Sequence, residues 1–254
     1  MLRRGVPLFR RSPSFAHDSL IEVAGRLVRL RVNARARRIS LRVDAKRGEI
    51  VATAPTVRKL ADAARFAEQR AEWIAERLER LPERVGLRPG LIIALAGQPC
   101  RLERAAMRIP PRLVPATAGE PIRLLASGDA EAFGRAALRA LKAEALSRLT
   151  ARTAHYAGAL NQPMPSVAVA DPKSRWGSCR KGQGGAPGLI RYSWRLILAP
   201  EAVLDYVAAH EAAHLIEANH GPNYWALVAR IYGDHKKPRA WLRANSASVH
   251  SICS

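Results

Sequence analysis

The chain has 254 residues and 48% of them are hydrophobic, so it can form one large domain or two small ones with a real core. Its 42 Lys plus Arg against 21 Asp plus Glu give a formal net charge of +21, which attracts polyanions or acidic protein surfaces. Neither a membrane-length apolar run nor the apolar segment of a secretory signal is present, so we expect a globular, cytoplasmic protein without a membrane partner.

The first half of the chain is expected to be a sheet-and-helix region. Residues 1–20 are predicted to be a mobile basic leader. Residues 26–54 alternate between apolar and other side chains, which predicts a small antiparallel sheet. Residues 57–81 carry apolar side chains at helical spacing and predict one helix. Residues 91–127 are typical of short strands interrupted by prolines, so the whole region is assigned to 21–127.

Basic side chains are concentrated near the amino terminus. Residues 1–50 carry 13 basic and 4 acidic side chains, whereas residues 201–254 carry 5 of each. Two interpretations stay open: contact with nucleic acid, or solubility of a chain rich in alanine and arginine, since no nucleic-acid-binding motif accompanies the charge. If residues 35–42 form a strand, Arg35 and Arg37 share one face and Arg38 and Arg42 the other, which disfavours a single continuous patch.

The second half, residues 128–254, is predicted to be a helical domain with a short sheet. A long helix rich in alanine and leucine is expected over about 130–158, followed by a strand at 166–170 and an apolar run at 189–198. Pro200 stands where it can start a further helix. The two halves together predict an α+β fold.

The predicted helix after Pro200 contains the motif HExxH, formed by His210, Glu211 and His214. Positions i and i+4 lie on one helix face about 5 to 6 Å apart, so both imidazoles can reach one ion. Glu211 lies off that line, yet close enough to take a proton from a water at the ion. The motif therefore predicts a metal-dependent hydrolase with Glu211 as the general base.

His220 is the best candidate for a third ligand, because a catalytic zinc usually has three protein ligands. Ala218 and Asn219 are expected to end the helix, so that the chain turns and returns His220 toward the ion. The spacing matches that of the metzincins, but Glu217 stands where they have glycine and no methionine follows the motif. We therefore exclude the metzincins and predict one zinc ion bound by His210, His214 and His220.

Several segments of the chain resemble the YgjP-like zinc metallopeptidases, which are HExxH zincins related to the SprT-like proteins. The resemblance is carried by KSRWGSC at 173–179, YSWRLILAP at 192–200, DYVAAHEAAHL at 205–215 and NHGPNYW at 219–225, with weaker likeness over 35–80 and in the carboxy-terminal PRAWLRANS. It implies a zincin-type fold, a zinc ion on the three histidines, Glu211 as catalytic residue and a protein or peptide substrate. Its SprT-like side suggests, as an alternative, a protease recruited to nucleic acid.

Four more residues are candidates for substrate binding or transition-state stabilisation. Trp176 and Gly177 either form an edge where a peptide backbone docks or pack beside a turn. Tyr192 or Tyr224 is a candidate for stabilising the oxyanion, and the sequence does not choose between them. A non-catalytic module stabilised by zinc is the remaining functional alternative, disfavoured because Glu211 occupies the position of a general base.

Three other features have more than one interpretation. Asp205 either orients a ligand imidazole or is an exposed residue in the first turn of its helix. His235 is expected at the surface unless it lies near the site. The three cysteines, Cys100, Cys179 and Cys253, are odd in number and lack CxxC spacing, so reduced thiols are predicted.

Overall fold

The computed structural model combines six helices with three small sheets in the part of the chain that it describes, which confirms the α+β class. The chain divides into two compact units, residues 1–82 and 83–254. Residues 91–127, which the sequence analysis grouped with the amino-terminal region, lie in the second unit. None of the described helices is long and apolar enough to cross a membrane. The described residues are 14–44, 49–79, 84–172, 175–184 and 186–252.

The first unit holds a four-stranded sheet in the order β1-β2-β4-β3. Two helices contribute apolar side chains to its core, which is separate from the cores of the second unit. Most of the leader predicted over 1–20 lies outside the described residues. The elements of this unit are β1 (Leu20–Val23), β2 (Arg26–Val32), β3 (Ser40–Asp44), β4 (Glu49–Ala54), a 3-10 turn (Val57–Lys59), α1 (Leu60–Glu68) and α2 (Ala71–Glu79).

The prediction of an antiparallel sheet in this unit is wrong. β2 and β4 pair in parallel, with Val28 opposite Ile50, whereas β1 and β3 pair antiparallel with their neighbours. The sheet is mixed because β4 is almost entirely buried, and a strand buried on both faces takes a central position. The more exposed β3 therefore lies at the edge, although it precedes β4 in the chain.

The single helix predicted over 57–81 is two helices joined by a short turn. The helical pattern is interrupted after α1 at Gln69 and Arg70. α1 buries Leu60 and three alanines, and α2 buries Ile74 in the same core. The break lets each short helix direct its own apolar face at the sheet.

The second unit contains the other two sheets and four longer helices. Its first sheet has the order β5-β6-β8-β7, and its second has the order β10-β11-β9. The predicted long helix and the predicted strand at 166–170 are both confirmed. The elements are β5 (Ile92–Leu95), β6 (Gln98–Arg104), β7 (Arg112–Val114), β8 (Ile122–Ala126), α3 (Ala130–Ala159), β9 (Ser166–Ala170), β10 (Gly177–Arg180), β11 (Leu189–Ser193), a 3-10 helix (Trp194–Leu198), α4 (Glu201–Ala213), α5 (Pro222–Tyr232) and α6 (Lys236–Ser251).

Helix α4 occupies the interior of the second unit. Nine of its side chains are buried, and they are distributed around the whole helix rather than along one stripe. Helices that are apolar on all sides are typical of protein cores. Against α4 lies α3, and Arg152 of α3 forms an ion pair with Asp205. The HExxH motif is therefore carried by a helix that the surrounding elements hold in place.

Candidate metal centre and active site

The local structure of α4 brings His210, Glu211 and His214 to one end of the helix. The helix begins after Pro200, as predicted, but it ends at Ala213, with His214 as its capping residue. The predicted end at Ala218 and Asn219 is wrong, because the chain tightens into turns directly after the motif. In those turns the Glu217 amide donates to the Ala213 carbonyl at 3.0 Å.

Three imidazole nitrogens converge where the metal was predicted. The Nε2 atom of His220 lies 3.2 Å from Nε2 of His210 and 3.2 Å from Nε2 of His214. Donors bound to one tetrahedral zinc at 2.0 to 2.1 Å are about 3.3 Å apart, so these spacings fit such an ion. All three ligand atoms lie within 4.8 Å of one another. The described side chains thus form a donor set for one metal.

The other ring nitrogens of the two α4 histidines have partners that favour metal binding. His214 Nδ1 lies 2.9 Å from the backbone carbonyl of Glu217. A carbonyl only accepts, so Nδ1 carries the proton and the neutral ring directs a lone pair from Nε2 into the site. His210 Nδ1 lies 3.3 Å from the hydroxyl of Tyr206, one helical turn earlier. These contacts fix the orientation of both rings.

His220 reaches the site from the turn before α5. Gly221 is the residue that caps α5, and Pro222 is in its first turn, so His220 directly precedes the cap of the helix. Its ring stacks on Trp225 at 5.7 Å and meets Tyr224 edge-on at 4.7 Å. Although exposed, His220 is therefore held by aromatic side chains of the next helix.

The family comparison agrees with this arrangement. The family described as YgjP-like, metallopeptidase domain, matches residues 37–245, which is most of the chain. The chain belongs to the YgjP-like metallopeptidase family. No curated protein and no solved structure matches it. The resemblance drawn from the sequence is thereby confirmed, and the match includes all three histidines and the glutamate between them.

In this YgjP-like chain Glu211 is buried against a glycine. Only 5% of Glu211 is exposed, and this burial raises the pKa of its carboxyl to about 7, with the charge of Arg175 acting in the opposite direction. A Cβ atom on Gly177 would lie 2.6 Å from both Cγ and Cδ of Glu211, closer than real contacts allow. Gly177 is thus the residue that gives the glutamate room beside the histidines.

The histidines of the YgjP-like site are also affected by their surroundings. Burial, followed by the charges of His214 and His220, lowers the pKa of His210 to about 3. Burial also lowers the pKa of His214. Both imidazoles are therefore neutral at physiological pH, which is the form that binds metal.

A cavity of about 1020 Å³ opens over the three histidines and Glu211. Trp176, Gly177 and Cys179 line one side of it, with Cys179 held as a thiol because burial raises its pKa to about 11. The other side is formed by α6, through Leu242 and its neighbours. This volume is at the upper end of the usual range for ligand pockets, so an extended substrate segment fits.

The four further candidate residues lie in different places. Trp176 and Gly177 line the cavity, and the Trp176 ring also contacts the His250 ring in a tilted arrangement, with centroids 5.1 Å apart. Tyr224 is fully buried and donates its hydroxyl to the His210 carbonyl at 3.0 Å. Tyr192 is fully buried as well, with its hydroxyl 2.9 Å from Thr153. Both tyrosine hydroxyls therefore have partners inside the protein.

Sequence reasoning missed several residues around the YgjP-like site. The contact to a ligand imidazole comes from Tyr206, not from Asp205, which pairs with Arg152. His235 lies near the site, stacked at 5.1 Å on Trp225. The helical spacing of Tyr206, four residues before His210, was a usable signal. The two basic positions four residues apart on α6 were another: Arg239 and Arg243 both line the cavity.

Proposed function

We propose that this YgjP-like protein is a zinc-dependent metallopeptidase that hydrolyses peptide bonds. The observation that supports it is the convergence of three imidazole nitrogens beside a buried glutamate in one cavity, with Nε2 of His220 3.2 Å from Nε2 of each of the other two histidines. Three neutral imidazoles suit one zinc ion. When bound, zinc lowers the pKa of a water toward about 7 and polarises a carbonyl group.

The protein's own part in the reaction is to hold the ligands and move a proton. His210, His214 and His220 hold the ion, with Tyr206 orienting the His210 ring. Glu211 accepts a proton from the attacking water and returns it to the leaving amine. A carboxyl group whose pKa lies near 7 is suited to both transfers at neutral pH. The cavity walls keep bulk water away from this exchange.

The substrate backbone docks along β10 in this proposal. β10 is an outer strand of its sheet and pairs on one side with β11. A peptide can add to the other edge by main-chain hydrogen bonds, which recognise any sequence. Gly177 begins β10 and touches Glu211, so a peptide on this edge lies beside the general base.

The two tyrosines receive a supporting role instead of oxyanion stabilisation. Tyr224 holds the backbone of His210 through its hydroxyl, and its ring stacks on His214 at 4.6 Å. Tyr192 anchors β11 to α3 through Thr153. A hydroxyl already paired inside the core is poorly placed to meet a developing charge on a substrate.

Glu211→Gln tests this function most directly. Glutamine keeps the size of the side chain but does not accept the proton, so zinc content and the melting temperature of the zinc-loaded protein should stay close to wild type. Hydrolysis of an unstructured protein should fall at least about 100-fold, since general bases typically contribute 10² to 10⁴. Elemental analysis should give about one zinc per chain for both proteins.

Two control variants make the result specific. Glu217 contacts His214 through its backbone carbonyl and not through its side chain. The variant Glu217→Gln should therefore keep both zinc and activity. His214→Ala should lose zinc and stability together, because metal binding contributes to the folded state. Loss of zinc in Glu211→Gln would make Glu211 a ligand or a structural partner. Full activity in that variant would place the chemistry elsewhere.

A further inference from the structure

Four cationic side chains line the cavity over the histidines: Arg175, Lys181, Arg239 and Arg243. Glu211, at the centre of the site, is the one acidic side chain among the described residues of the lining. Two of the four, Arg239 and Arg243, come from residues 201–254, which carry equal numbers of basic and acidic side chains. The cations are gathered here by the fold.

The four cations lie on or next to two elements of the cavity lining. Arg175 precedes β10 and Lys181 follows it, so a cation stands at each end of the strand proposed to hold the substrate backbone. Arg239 and Arg243 lie one turn apart on α6. A segment lying along β10 therefore meets positive charge at both ends of the strand and from α6, which lines the same cavity.

In the described part of the chain these cations are not held in ion pairs, although the charge of Arg175 acts on the carboxyl of Glu211. Within the described parts of the chain, none of the four forms an ion pair with an aspartate or glutamate. Lys181 donates to the backbone carbonyl of Ile216, and the Arg239 guanidinium lies 4.5 Å above the Trp225 ring. Both contacts hold the side chains in place and leave their charges uncompensated.

The rest of the lining suits a peptide better than a nucleic acid. Leu242, Val207 and Trp176 give the cavity an apolar wall for side chains. Single-stranded nucleic acids are usually held by free aromatic faces on which bases stack. Here the Trp176 ring contacts the His250 ring at 5.1 Å, and Trp225 contacts His220, His235 and Arg239, so these aromatic rings already have partners within the protein.

We infer that this cleft selects peptide segments carrying acidic side chains on both sides of the bond to be cut. The inference rests on the proposed function and adds the substrate class to it. Arg243 is the residue best suited to test it, because it is exposed and lines the cavity. Its positive charge attracts acidic side chains over a distance of several ångströms.

A binding experiment tests the inference without relying on hydrolysis. The probes are fluorescent, unstructured peptides of equal length that differ in having Glu, Gln or Lys at the same positions. They are titrated by anisotropy against full-length Glu211→Gln protein, with and without added zinc. At low salt the Glu peptide should bind at least about 10-fold more tightly than the Gln peptide, and the difference should shrink as salt screens the charges.

Variants of α6 assign the preference to the cleft. In the Glu211→Gln protein, the further change Arg243→Glu should abolish the preference for the Glu peptide. Arg243→Lys keeps the positive charge and should retain that preference. Lys237→Glu is the matched control, because Lys237 is an exposed cation of the same helix that does not line the cavity. It should leave the preference unchanged. Equal binding of the three peptides, or equal effects of the two charge reversals, would overturn the inference.

Cleavage of the same peptides by wild-type protein separates the two proposals. Preferred binding of the Glu peptide without cleavage of any peptide would remove the proposed function and leave the binding preference standing. If the wild-type protein cleaves all three peptides equally and Glu211→Gln abolishes this cleavage, the proposed peptidase function stands and the inferred preference for acidic peptides is wrong. If a single-stranded oligonucleotide binds more tightly than the Glu peptide, and Arg243→Glu abolishes that binding, the occupant is a nucleic acid and the inference is wrong.

Discussion

At Gly177 the missing side chain leaves the space that Glu211, the proposed general base, occupies. An added Cβ would overlap the carboxylate end of Glu211, with Cδ only 2.6 Å away. Gly177→Ala should therefore displace Glu211 and lower peptide hydrolysis at least about 10-fold, because small misplacements of catalytic groups are costly. Zinc content, measured by elemental analysis, should stay near wild type. The control is Gly158→Ala on α3, where nothing lies within 4 Å, and it should leave activity unchanged.

Burial of the Glu211 carboxyl group predicts a pH-dependent difference in stability between metal-free proteins. Its pKa rises from 4.5 to about 7 on folding. Above pH 7 the folded protein bears the cost of a buried carboxylate. As pH falls through 7 toward 4.5 the folded state takes up a proton that the unfolded state does not, so this cost disappears.

Metal-free Glu211→Gln should therefore be more stable than wild type by up to about 3 kcal/mol at pH 8, with the difference vanishing near pH 4.5. Chemical denaturation in the presence of a chelator measures the free energy of unfolding of both proteins. Titration of His210 occurs in both, so the difference isolates the glutamate. Equal stability at pH 8 would mean that the ionised carboxylate is well solvated in the folded protein.

Helix α4 and its capping residue carry two of the proposed ligands, the proposed general base and Tyr206, which contacts the ring of His210. Tyr206 lies one turn before His210, and its hydroxyl is 3.3 Å from Nδ1 of that ring. Tyr206→Phe should weaken zinc binding by about 10- to 100-fold, the usual effect of losing a partner of a metal ligand. Competition with a chelator measures the dissociation constant.

Tyr232→Phe is the matched control on the next helix. Its hydroxyl donates to the Ala202 carbonyl at 2.8 Å and contacts no ligand, so zinc affinity should not change. An unaltered affinity in Tyr206→Phe would show that ring packing alone orients His210. The aromatic contacts of Tyr224 and Trp225 would then be the ones that matter.

The molecule as a whole is strongly basic, with a formal net charge of +21. The basic side chains of the amino-terminal region are tested for nucleic-acid binding independently of the cavity over the histidines. Arg35, Arg37 and Arg38 lie in the exposed segment between β2 and β3, so the alternating faces of a strand apply only to Arg42. The prediction that a strand over residues 35–42 places these arginines on opposite faces is therefore wrong. Outside a strand, neighbouring side chains are not restricted to two opposite faces. A phosphate-binding role for these arginines therefore stays a prediction.

Arg35→Ala combined with Arg37→Ala should lower affinity for DNA and reduce the slope of log affinity against log salt by about 2, if each arginine contacts one phosphate. The control removes two exposed cations of the second unit, Arg230 and Lys237, and should leave that slope unchanged. Undetectable binding at low salt, or equal behaviour of the two double variants, would leave the charge as a solubility feature.

The sequence was sufficient for the features that depend on local spacing. The i, i+4 spacing of His210 and His214 and the helix breakers around Gly221 determine which groups can meet at one ion, whatever surrounds them. The same is true of the long helix α3 and of the strand at 166–170, whose patterns reflect one helical or strand period. Local geometry is nearly the same in every fold, so it can be inferred from one chain.

Contacts between segments that are distant in the chain could not be inferred from local spacing in the sequence. Some contacts join positions that are far apart in the chain, such as Gly177 with Glu211 and Thr153 with Tyr192. The same is true of the cavity lining, which brings Arg243 together with residues of β10. The parallel pairing of β2 with β4 likewise depends on which strand is most buried, not on the pattern within either strand. Burial also sets the pKa of Glu211 and of His210, because it is the packing of several elements that removes water from them.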